Sequence, residues 1–214
     1  MATALSAIAL PTMVAVAGPS PATAAAGHAA TRTIVVRPVT ATGHVRPGFR
    51  VRAVAETVDC SYGGASPVSL SRNVDFCSPS AAYAVACWKA ASRNHVLCLQ
   101  DPTKHRLSRF RTDKFAPAKR ISHRVLSPML IVLADGTRCA IRDGGAWGVL
   151  KHHPHMSGTY SCTHHGVVWA RANAPHGGVN ESTSAWTVQT AQFGAGHLVT
   201  RRITRAYFVG TFSG

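Results

Sequence analysis

The sequence predicts an all-β fold, a disulfide-stapled antiparallel sandwich or open barrel, and three observations carry that prediction. Short apolar or alternating runs recur every ~8 to 12 residues through the second half of the chain, with Gly-containing turn signals between them. Beyond the first 30 residues no stretch keeps the amphipathic period of a helix long enough to build one. The six cysteines, Cys60, Cys77, Cys87, Cys98, Cys139 and Cys162, form an even set in which neighbours are spaced to staple adjacent strands.

The chain opens with Ala2 to Ala17, apolar and uncharged, followed by the helix-breaking Gly18-Pro19-Ser20-Pro21. Small residues then offer cleavage sites at Ala22-Thr23-Ala24 and Ala24-Ala25-Ala26. Residues 1–30 therefore read as an export signal that is cleaved, although no Lys or Arg precedes the apolar run. The alternative is a retained anchor, but Pro11 interrupts the segment and it falls short of the ~20 residues a membrane-spanning helix needs.

Residues 31–102 form an N-terminal β region. Thr33 to Val36 is a strand candidate, and Phe49 to Ala55 alternates apolar and polar residues as a half-buried strand does. The Ser- and Gly-rich stretch from Ser61 to Asn73 is loop, stapled at its ends if Cys60 pairs with Cys77. Ser78-Pro79-Ser80 is a turn rather than a nucleophile, since no strand-turn-helix elbow surrounds it. Tyr83 to Trp88 reads as a strand, Ala90 to Asn94 as a turn and His95 to Leu99 as the return strand, with Pro102 ending it. Six cysteines allow 15 pairings, and the spacing favours Cys60 with Cys77, Cys87 with Cys98 and Cys139 with Cys162. No pair has the separation of a zinc knuckle.

The segment 103–124 is the most basic part of the chain. Lys104, Arg106, Arg109, Arg111, Lys114, Lys119, Arg120 and Arg124 face only Asp113 as an internal counter-charge, and Phe110 and Phe115 are interleaved among them. A solvated connecting arm is the favoured reading, and an anion-binding segment is the sharper one. Residues 125–214 form a second β region: Met129 to Leu133, an Asp135-Gly136 turn, Arg138 to Ile141, and Asp143-Gly144-Gly145 turning into Ala146 to Leu150. Tyr160 to Cys162 and Val167 to Ala170 flank His164-His165-Gly166. Trp186 to Gln189 and Leu198 to Ile203 flank Gly194-Ala195-Gly196, and Tyr207 to Phe212 is a last strand. Trp88, Trp147, Trp169 and Trp186 are expected in the core.

The run Phe76-Cys77-Ser78-Pro79-Ser80, a short strand ending in Cys87, and Val96-Leu97-Cys98 some ten residues on resemble a small module of actinobacterial exported proteins of unknown function. That family usually carries Gly-Asn after its Ser-Pro-Ser, and this chain has Ala81 to Val85 there instead. The resemblance covers about thirty residues and implies a disulfide-closed β-hairpin with no enzymatic role. Farther on, Asp135-Gly136-Thr137-Arg138-Cys139, Tyr160-Ser161-Cys162, Trp186-Thr187-Val188 and Ala206-Tyr207-Phe208 are similar to exported proteins of mycobacteria and their relatives, for which no activity carries over.

Function is bounded by charge. Against 23 Lys and Arg stand 8 Asp and Glu, a formal net charge of +15, which steers polyanions, anionic lipid headgroups or acidic proteins toward the surface. An exported protein seldom meets nucleic acid, so anionic envelope lipids or polymers, or an acidic protein, are the expected partners. His152, His153, His155, His164 and His165 crowd into fourteen residues and form a candidate metal site if their two groups approach. Their spacing is not that of a helical zinc motif, and no acidic residue lies among them to orient the rings. No catalytic constellation is present, and no cofactor is expected. The leading expectation is an exported, non-enzymatic binding protein of the envelope or extracellular space. The alternative is an exported hydrolase or metal-binding protein built on the histidine loops.

Overall fold

A computed structural model of the chain describes residues 29–61, 64–78, 84–115, 126–142, 147–148, 150–194 and 196–212. These residues form eleven strands: β1 (Arg32–Thr40), β2 (Arg50–Thr57), β3 (Cys87–Lys89), β4 (His95–Asp101), β5 (Arg106–Arg111), β6 (Leu130–Leu133), β7 (Arg138–Ile141), β8 (Met156–Cys162), β9 (Gly166–Arg171), β10 (Thr187–Gln192) and β11 (Val199–Phe212). Two short 3-10 turns lie at Thr163–His165 and Pro175–Gly178. The export segment, apart from its last residues Ala29 and Ala30, lies outside the described residues, as do Asp143 and Ser80.

Strands β6 to β11 follow one another as an antiparallel meander, and β11 returns to pair with β6, so six strands close into a barrel. The turns do what their residues predict. At Asp135-Gly136 the glycine sits at φ +85°, a conformation open to Gly at little cost, and the Asp135 carboxylate accepts the Thr137 N–H at 3.0 Å. Alternate residues face inward, and Ile131, Leu133, Tyr160, Val168, Val188 and Ile203 fill the interior together with the Cys139–Cys162 disulfide. The Tyr160 hydroxyl donates to the Pro128 carbonyl at 2.9 Å, and complete burial pushes its ionisation well above the usual phenol range. Closure removes the free edges that an open sheet would expose.

Strand β11 is 14 residues long, where the sequence suggests two shorter strands. Its first part pairs with β10, and beyond that β1 runs parallel to it through Arg32↔Arg205 to Thr40↔Phe212. The boundary expected between residues 31–102 and 125–214 is therefore crossed: β1 belongs with the barrel, because β11 outruns β10 and leaves an edge to be covered.

The second sheet has the order β2-β5-β4-β3. Its Trp88, Leu97, Leu99 and Leu107 pack against Val39, Met129 and Val209 of the barrel layer, and the Trp88 Nε1–H donates to Thr211 Oγ1 at 3.1 Å. On the opposite face Val96 and Phe110 pack around the Cys60–Cys77 and Cys87–Cys98 disulfides. All three pairings are those the spacing favours, and Cys87 stands directly opposite Cys98 in the β3–β4 ladder.

Three expectations are corrected. The basic arm is no arm over Arg106–Arg111, which form the interior strand β5. Leu107 and Phe110 anchor it on opposite faces, while its arginines reach solvent. Phe49 to Ala55 is not half-buried, since seven of the eight residues of β2 are exposed; as the edge strand it touches the core only through Val54, with Phe49 packing just before it. Trp147, Gly148 and Leu150 are outside any strand. The Trp147 ring instead fills the space where a side chain at Gly158 would begin, next to Trp169, so that Trp88, Trp147 and Trp169 are buried and Trp186 partly so.

A second side-chain contact, besides that of Trp88 with Thr211, ties the two sheets together. Arg138 Nη2, on β7, donates to both carboxylate oxygens of Asp101, at the end of β4, at 3.0 Å each, and to Thr103 Oγ1 at 2.8 Å. Burial works to raise the Asp101 carboxyl. The Thr103 N–H and hydroxyl, with Arg138 and Lys104, outweigh it and hold the group below the ordinary carboxylate range. A lowered folded-state value means that this contribution is complete above about pH 4 and is lost as the pH falls through that value. Asp101→Asn is expected to cost about 1.5–3 kcal/mol at pH 7, the usual range for hydrogen bonds to a charged group. It should also shrink the difference in urea midpoint between pH 7 and pH 3. A midpoint difference equal to wild type would show that Asp101 does not link the sheets.

Candidate anion-binding surface

The site grows out of the pairing of β2 with β5. The two run parallel, with Arg50↔Arg106, Val51↔Leu107, Arg52↔Ser108 and Ala53↔Arg109 in register. Paired residues share a face, so Arg50, Arg52 and Arg106 crowd one side of the sheet. On the other side Arg109 joins Arg111 and His95, which β4 places directly opposite Arg111. Between Ala53 and Thr57 the register shifts: β2 advances four residues while β5 advances two, so β2 bulges. A hollow opens on each face. One, of ≈ 360 Å³, is lined by Ala53, Val54, Ala55, His95, Arg109 and Arg111. The other, of ≈ 390 Å³, includes Arg52, Arg106, Ser108, Phe110 and the carboxylate of Glu56.

Cations outnumber carboxylates here, Glu56 being the one acidic residue among the linings of the two hollows. Among the described residues, Arg50, Arg52, Arg106, Arg109 and Arg111 have no carboxylate within ion-pair distance. Carboxylates elsewhere are taken: Asp101 by Arg138 and, at 3.8 Å, by Lys104; Asp135 by Arg201 at 3.5 Å. Lys114, just past β5, lies beside Asp59; that carboxyl is held below its ordinary range first by the Ser61 hydroxyl and N–H, and least by Lys114. Of the eight basic residues singled out in the sequence, then, Arg106, Arg109 and Arg111 share this surface and Lys104 is partnered. Lys119, Arg120 and Arg124 lie outside the described residues. Sequence reasoning missed Arg50, Arg52 and His95. The signal was there in Arg50-Val51-Arg52, because alternation in a strand puts both arginines on one face.

The histidines do not assemble. His152, His153 and His155 lie in the turn before β8, and His164 and His165 in the turn after it, so the seven residues of β8 hold His155 and His164 apart by roughly 20 Å of strand. Among the described residues no group of three or more His, Cys, Asp or Glu side chains is placed to hold a metal ion. His164 instead helps line a hollow of ≈ 370 Å³ at the barrel mouth, with Asp135, Thr163, His197 and Arg201. At the opposite end His176 is held by the Leu126 carbonyl at 2.8 Å and stands 3.9 Å from Glu181, whose carboxyl burial raises against the pull of that ring. That arrangement pins the Pro175–Gly178 turn across the barrel.

Comparison of the chain with protein-family models, curated proteins and solved structures found no match. The class is defined by the molecule itself: a β protein with three disulfides, a closed six-stranded barrel and an arginine-lined edge sheet. Three disulfides belong to an oxidising, extracytoplasmic environment. No helix among the described residues is long and apolar enough to cross a membrane.

Proposed function

We propose that this chain is an exported, non-enzymatic protein that binds polyanions at the cell envelope or outside the cell, through the β2–β5 surface. One observation carries the reading: five arginines from two adjacent strands are exposed without carboxylate partners on a chain of net charge +15. Carboxylate or phosphate groups spaced along a polymer, a lipid surface or an acidic protein supply the complementary chemistry. Export rests on the apolar segment 1–30 together with the disulfides, and origin among actinobacterial exported proteins rests on the Ser-Pro-Ser module. A hydrolase or metal protein using the histidine loops is the alternative, and the strand between His155 and His164 weighs against it.

Binding of long-chain inorganic polyphosphate tests the proposal. Five engaged arginines release about as many counterions, so the affinity should fall roughly a hundredfold between 50 and 200 mM salt, by analogy with single-stranded nucleic acid. Affinity independent of salt, or none at 50 mM, would overturn it.

A further inference from the structure

We infer that the outer edge of β2 accepts an extended acidic polypeptide as an added strand. The inference rests on the polyanion-binding reading and narrows its ligand from any polyanion to a peptide chain. The Arg50 N–H donates toward β5, to the His105 carbonyl at 3.0 Å. Successive residues of a strand point their N–H and C=O groups to opposite sides, so those of Val51 and Ala53 face away from β5. Nothing among the described residues pairs with that side, because β2 ends the sheet. Other edges are shorter or partly covered. Strand β3, at the far side of the same sheet, has only three residues, and β1, the edge strand beside β11, is covered at its end, where the Arg46 N–H donates to the Pro38 carbonyl at 2.9 Å and the Thr40 N–H to the His44 carbonyl at 2.9 Å. Strand β2 offers eight, seven of them exposed.

Charge selects the occupant. Arginines on an open edge keep a second copy of the same strand away, since Arg50 and Arg52 would meet their own images beside Arg106, Arg109 and Arg111. The same charges attract a strand bearing Asp or Glu. Its side chains would alternate between the Arg50, Arg52 and Arg106 face and the hollow edged by Arg109, Arg111 and His95. A polyphosphate satisfies the arginines alone. Only a polypeptide also satisfies the outward N–H and C=O groups of Val51 and Ala53.

The test titrates the full chain with poly-L-glutamate and, in parallel, with inorganic polyphosphate. Val51 is 42% exposed and its N–H points outward, so Val51→Pro removes an edge donor while leaving the β2–β5 ladder intact. The variant is expected to bind poly-L-glutamate at least tenfold more weakly and polyphosphate within twofold of wild type. A second arm leaves the protein unaltered: a Glu-Thr alternating octapeptide is compared with the same peptide N-methylated at every second residue, and the methylated form should bind at least tenfold more weakly. If Val51→Pro fails to fold, this arm decides. Equal binding of both peptides would overturn strand addition while leaving polyanion binding standing. A wild-type dimer that Val51→Pro abolishes would give the edge to a second copy and overturn the proposal as well. Loss of both ligands in wild type would sink the underlying reading.

Discussion

Replacing Cys139 and Cys162 together by alanine is expected to lower the stability of the protein by about 3–5 kcal/mol, the largest loss from any single site in the fold. The bridge closes 23 residues of sequence separation, and the chain-entropy estimate for a loop of that size is about 3.4 kcal/mol. A packing loss adds to it, because both cysteines point into the barrel beside Tyr160 and Val168, where removing sulfur leaves a void. Strand β7 has only four residues to hold its place between β6 and β8. The other bridges span 17 and 11 residues, and the three together supply roughly 9 kcal/mol, comparable with the entire stability of an ordinary domain. Urea denaturation reads the double variant directly. A midpoint unchanged from wild type would mean that the barrel closes by packing alone. All six cysteines are buried, so dithiothreitol should act on the native protein only at the rate at which it unfolds.

The disulfides were the most legible part of the chain, because cysteines that close short loops leave few strand pairings open. Cys87 with Cys98 and Cys139 with Cys162 each mark two adjacent antiparallel strands by their spacing alone. The Asp135-Gly136 hairpin was legible for the same local reason. What sequence did not reveal depends on distant partners. Whether a meander opens or closes rests on β11 reaching β6 across some seventy residues of chain, and nothing in either strand announces it. Alternation in Arg50-Val51-Arg52-Ala53 says which residues share a face; only the sheet order says that neither face is covered. The basic segment misled by its charge. Leu107 and Phe110 are enough to bury a strand whose arginines sit at its margins, so a run that reads as a solvated arm is central to its sheet. The candidate site is thus half visible in the sequence: Arg106, Arg109 and Arg111 stand out there, while the strand that completes the surface reads as half-buried.

The second large effect concerns binding. Reversing Arg50, Arg52, Arg109 and Arg111 to Glu removes four of the five unpaired cations of the edge pair, two from each face, while leaving Arg106, Leu107 and Phe110 in place. All four side chains are exposed, so the fold should tolerate the change. Four lost phosphate contacts, each replaced by a repulsion, should weaken polyphosphate binding by at least about a hundredfold at 100 mM salt. Net charge alone would also weaken it, and that contribution needs its own control. Reversing Arg32, Arg72, Arg171 and Arg205, exposed residues of other elements, makes the same change in charge, since each reversal removes two units and both variants carry +7 in place of +15. The most direct measurement is therefore the polyphosphate affinity of these two variants side by side. A loss of a hundredfold or more in the β2–β5 variant, against a loss of tenfold or less in the control, is the result predicted. Equal losses in the two would contradict a localised site and leave only diffuse attraction to a basic surface.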